Sequence, residues 1–105
     1  MAKSKARKLH NNVVVAFARL RRRGGILCRQ FSSSEDAVTR GGNYIYFTVR
    51  DNLPFPTGAG RFLIEEGLCI SCQDGLFSET PQTFEAVSFD AFNAFRAKYE
   101  TPANV

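Results

Sequence analysis

The stretch NYIYFTVR, residues 43–50, decides the fold class. Every side chain from Tyr44 to Val49 is aromatic or β-branched, the kind that suits a pleated, half-buried surface. A strand is therefore predicted here, closed off by Gly41-Gly42 before it and by the turn-forming DNLPFP (51–56) after it. Strand alternation puts Tyr44 and Tyr46 on one face and Ile45 and Phe47 on the other. Two outcomes are open. Either the tyrosine face is exposed and offers stacking platforms, with Phe47 a further candidate, for a single-stranded nucleic acid, or both faces are covered. Coverage is the expectation.

Working back from this strand, SSSED (32–36) supplies an N-cap for one short turn of helix through Val38, and ILCRQF (26–31) reads as another strand. Gly24 and Gly25 stop a helix predicted over residues 9–23, whose Leu9, Val13, Ala16, Phe17 and Leu20 recur on one side at helical spacing. Working forward, Thr57 is the expected N-cap of a helix TGAGRFLIEE that ends at Gly67, with Ala59, Phe62 and Leu63 inward. Gly58 and Gly60 weaken that helix and imply that another backbone or a ligand comes close. LCISCQ (68–73) and QTFEAV (82–87) form a hairpin, and DAFNAFRAKYE (90–100) is a helix with Phe92, Phe95 and Tyr99 on one side. The expectation is a small α+β domain over residues 9–100. It has an N-terminal helix, a largely antiparallel sheet of three to four strands with a β-hairpin, and a C-terminal helix. A basic arm (1–8) precedes it and a short tail (101–105) follows.

A helix followed directly by a β-hairpin, here residues 57–87, resembles the second half of a winged-helix domain. The resemblance rests on element order, and it implies DNA binding. The strand at 43–50 departs from that family's pattern, and TGAGRF is poor in side chains that read bases.

Charge is the most informative feature. Nine of the 14 cations fall in residues 1–34, with no Asp or Glu among them: Lys3, Lys5, Arg7, Lys8, Arg19, Arg21, Arg22, Arg23 and Arg29. Residues 35–105 hold all ten carboxylates and a net charge of −5, so the overall +4 conceals two opposite halves. A segregated field of this kind acts on association rather than on folding. The predicted partner is nucleic acid, DNA or RNA, held by phosphate contacts from the arm and from the arginine-rich helix end. The alternative is a protein-interaction module, an inhibitor or accessory factor of the phage or plasmid type. Its contact would be the hairpin loop 74–84, where Leu76 and Phe77 are unusually apolar for a turn, with Glu65 and Glu66 beside it.

Enzymatic sites are incomplete. The single histidine, His10, lies in the basic segment with no triad partner in sight, so no catalysis is expected. GAG (58–60) lacks the third glycine of a dinucleotide fingerprint and the Gly-Lys-Ser/Thr of a phosphate loop. Cys69 and Cys72 make a C-x-x-C which, with Cys28 and His10, would supply one Cys3His zinc set. In a regular strand, however, residues three apart point opposite ways: Leu68, Ile70 and Cys72 share one face, Cys69 and Ser71 the other. Glu65, Glu66 and Asp74 flank the pair and oppose thiolate formation. Buried structural thiols are the expectation, and no cofactor is predicted. No apolar run reaches the roughly 20 residues of a membrane span, and VVVAFA (13–18) is shorter than a signal core. The predicted location is the cytoplasm, with a mitochondrial transit segment as the rival reading of the basic N-terminus.

Overall fold

The computed structural model describes residues 8–72 and 81–101. In chain order the elements are α1 (Asn11–Arg22), β1 (Ile26–Phe31), α2 (Glu35–Arg40), β2 (Tyr44–Thr48), β3 (Leu53–Pro54), α3 (Thr57–Glu65), β4 (Cys69–Ser71), β5 (Gln82–Ala86) and α4 (Phe89–Glu100). The strands make one five-stranded sheet in the order β3-β2-β1-β5-β4, antiparallel throughout. The predicted α+β class holds, with one strand more than expected. β3 forms inside DNLPFP, where Leu53 pairs with Thr48 and Pro54 with Phe47. A proline is tolerated there because β3 is an edge strand and needs no donor on its outer side.

α1 forms where its apolar spacing predicted, and Leu9, Val13, Ala16, Phe17 and Leu20 are all buried. His10 caps it, its Nδ1 accepting from the Asn12 N–H at 3.2 Å. Gly24 and Gly25 end it with φ of +106° and +77°, conformations that favour glycine. The core joins this helix to Leu27 of β1, Tyr46 of β2, Phe84 and Ala86 of β5, and Ala59 and Leu63 of α3. α4 closes the core: Phe92 stacks on Phe17 with centroids 4.1 Å apart, and Phe62 meets the edges of Phe95 and Tyr99. The Phe92, Phe95, Tyr99 stripe is thus packing. Phe17, Leu20, Leu27 and Leu63 are fully excluded from water, each worth roughly 2 kcal/mol of transfer.

Register settles which side of each strand meets the helices. Leu27 is opposite Thr48 and Phe84, and Arg29 is opposite Tyr46 and Gln82. Directly opposed residues share a face. Tyr44, Tyr46 and Thr48 therefore lie on the covered side. Ile26, Ile45, Phe47 and Ile70 lie on the other, and none of them joins the core cluster. The expected burial of the tyrosine face holds, with Tyr46 in the core and Tyr44 packed against it, whereas the other face is only partly covered, Ile45 being 37% exposed.

Two local expectations change. Pro56, not Thr57, caps α3, and the Thr57 hydroxyl donates to Asp36 at 2.6 Å, tying α3 to α2. Leu68 does not share a face with Ile70. It is still in the turn set by Gly67 (φ +77°) and is buried, whereas Ile70 is 58% exposed. The glycine-rich start of α3 has half an explanation. A Cβ at residue 60 would lie 2.7 Å from the Tyr46 ring, while one at residue 58 would meet nothing within 4 Å.

No helix among the described residues is long and apolar enough to cross a membrane.

Candidate nucleic-acid interface

The fold separates the cations that the sequence groups together. Lys3, Lys5 and Arg7, like Leu76 and Phe77, lie outside the described residues. Lys8 is exposed just ahead of α1, and about 18 Å of helix separates it from Arg22. Arg19 and Arg22 are exposed and enter no ion pair among the described residues. Arg21 is turned inward: its Nη1 donates to the Ala86 carbonyl at 3.1 Å, and its Nε is buried without a partner among the described residues. That bond pins the end of α1 to β5. Arg23 lies 3.4 Å from Asp51. The Asp51 carboxyl is held below the ordinary carboxylate range, first by the hydrogen bond from the Thr48 hydroxyl and also by Arg23. Two of the four arginines in this run are thus taken up by the fold.

Arg50 adds a cation that charge counting over residues 1–34 misses. Antiparallel pairing brings the end of β2 beside the start of β1, and the Arg50 stem packs against Gly24, where a Cβ would meet its Cδ at 3.1 Å. Arg19, Arg22 and Arg50 are the described exposed cations at this end of the molecule.

Arg29 belongs elsewhere. It lies on the covered face about 10 Å along β1 from Ile26, so it does not extend the helix-end cluster as the sequence suggested. Its guanidinium carbon sits 4.3 Å from the Tyr44 ring centroid and 5.1 Å from that of Phe84, and its Nε donates to Gln82 Oε1 at 2.8 Å. It lines a cleft of about 170 Å³ with Tyr44, Tyr46, Gly41 and Arg61. Burial pushes the Tyr46 phenol up from its usual range, and its hydroxyl donates to the Gly41 carbonyl at 3.1 Å.

The possible zinc set does not assemble. Cys69 pairs with Ala86 and faces the core, where burial pushes its thiol up to about 12. Cys28, opposite Phe47 and Thr83, lies on the other face of the sheet. Cys72 is exposed beyond β4, and His10 is at the N-cap of α1. No group of three or more His, Cys, Asp or Glu among the described residues is placed to share a metal ion. A thiol held protonated in the core is also no nucleophile.

Glu65 accepts from Arg61 Nε at 2.9 Å on the exposed side of α3, and Glu66 is exposed at its C-cap. The helix-plus-hairpin order of the winged-helix resemblance is present as α3, β4 and β5. The exposed side of α3, however, presents Gly58, Arg61, Glu65 and Glu66, which is more acidic than basic. At the N-terminus of α3, the place an external anion would take, Asp36 already sits against Thr57. The phosphate reading of GAG has no support from this geometry.

No protein-family model, curated protein or solved structure matches the chain.

Proposed function

We propose that this protein binds nucleic acid through phosphate contacts from its basic N-terminal segment and from the exposed arginines at the end of α1. The observation that carries this is the charge segregation, nine cations without one acid in residues 1–34. Arg19 and Arg22 support it, being exposed and unpaired among the described residues. Cations of this kind displace counterions from a phosphate backbone, so affinity falls steeply with salt.

The test is an electrophoretic mobility series with single- and double-stranded DNA and RNA across salt. Engagement of about half the basic segment gives a log–log slope of about −4 on duplex DNA. Replacing Arg19 and Arg22 with Gln lowers that slope by about 2. Those two are the residues to change, because Arg21 and Arg23 carry structural contacts and their loss would confound the result. Binding that is indifferent to salt would overturn the reading.

One observation favours the protein-interaction alternative, namely the exposed side chains of Ile45 and Ile70 on the sheet face turned away from the helices. A chain that ignores nucleic acid at every salt concentration, yet binds a protein partner until Ile70 is changed to Ser, would move the assignment there.

A further inference from the structure

Arg29 is half-buried, and among the described residues it has no carboxylate within ion-pair distance. Its position is nonetheless tightly set, by Gln82 on one side and by the Tyr44 and Phe84 rings on the other. Nε is the guanidinium nitrogen that Gln82 engages. The two terminal nitrogens form the planar fork that suits a phosphate or carboxylate. The cleft that Arg29 lines also holds Arg61 and Glu65, so its lining carries one net positive charge. Next to it, Tyr44 meets Phe31 edge-on at 6.3 Å, and Phe31 is 45% exposed at the end of β1. A positioned cation and an exposed ring thus lie side by side, the pairing that single strands use: phosphate to the cation, unstacked base to the ring. Paired bases in a duplex keep their faces stacked and cannot use Phe31 in this way.

We propose that Arg29, Tyr44 and Phe31 form a single-strand station, in which the Arg29 fork takes a backbone phosphate and Phe31, backed by Tyr44, takes the adjoining base. This rests on the nucleic-acid reading above and adds strand preference to it. The cleft of about 170 Å³ has room for a phosphodiester.

The test measures fluorescence anisotropy of the full chain with labelled single strands of about 15 nucleotides and with duplexes of the same length, at low salt. Phe31→Ala is the main variant, since its side chain is exposed and outside the core cluster; Arg29→Gln and Arg29→Lys accompany it, with thermal melts of all three. Phe31→Ala weakens single-strand binding roughly five- to fiftyfold and leaves duplex binding within about twofold. Arg29→Gln does the same, and Arg29→Lys recovers only part of the loss because it restores charge without the fork. Single-strand affinity unchanged in Phe31→Ala, or equal losses on single strand and duplex, would overturn the station. If Arg19→Gln/Arg22→Gln still weakens binding in that case, the broader reading survives. Failure of the wild-type chain to bind any nucleic acid overturns both.

Discussion

Along β2, Tyr44, Tyr46 and Thr48 point toward the helices while Ile45 and Phe47 point away from them. The side chains with hydroxyls are inside and the purely apolar ones are out. This works because each buried hydroxyl has a partner within the fold. Tyr46 donates to the Gly41 carbonyl, and Thr48 donates to the Asp51 carboxylate, with the Leu53 carbonyl 3.4 Å away. Burying a hydroxyl without a partner would be costly. With one, the ring of Tyr46 contributes its apolar area to the core and also fills the space that Gly60 leaves open. On the outer face, Ile45 is opposite Gln30, and Phe47 is opposite Cys28 and Pro54; one face of an antiparallel sheet is commonly solvated.

Substitutions that interfere with the inner face should therefore outrank those on the outer face. The largest effect is expected from Gly60→Ala, which sets a Cβ 2.7 Å from the Tyr46 ring and should cost about 1–3 kcal/mol in urea unfolding. Gly58→Ala, with nothing within 4 Å, should be neutral or stabilising by up to about 1 kcal/mol. Equal responses at the two glycines would break the account of Tyr46.

Tyr46→Phe comes next. It keeps the ring and deletes the bond to Gly41, so a loss of about 1 kcal/mol is expected. In an alkaline absorbance titration the same variant should remove a phenol that ionises above the usual tyrosine range, since burial raises Tyr46.

Thr48→Val tests the other inner hydroxyl through pH. Asp51 has a folded pKa below its unfolded value of about 3.9. Its contribution is therefore present above that value and is lost as pH falls through the folded pKa. Thr48→Val removes the main cause of the depression, so variant and wild type should differ in stability at neutral pH and converge in acid. Denaturant melts at several pH values from neutral downward would show a constant gap if the Thr48–Asp51 bond were unimportant.

The smallest effect belongs to the outer face. Ile45→Thr keeps the β-branch at a position 37% exposed and should change stability by no more than about 0.5 kcal/mol. A loss comparable to that of Tyr46→Phe would mean that the outer face is covered in solution.

Much of this architecture was legible in the chain. The apolar spacing from Leu9 to Leu20, the strand ILCRQF, the hairpin from LCISCQ to QTFEAV and the aromatic stripe of α4 all carry local periodicities, and local periodicity is what forms an element. The basic segment was equally plain, since charge is read directly from composition. What stayed hidden were relations between distant residues. β3 exists because its partner Phe47–Thr48 is at hand, not because LP favours a strand. Thr57 reaches Asp36 rather than its own helix because α2 lies beside it. Arg21 and Arg23 are drawn away from the cation cluster by Ala86 and Asp51, and Arg29 is placed between rings from β2 and β5. The sequence alone determined where helices and strands form and that positive charge gathers at one end of the chain. Only the tertiary structure decided which face of β2 is inside and which arginines remain exposed. The reason is physical: alternation fixes that two faces differ, but which face is buried depends on the layer of helices packed against it.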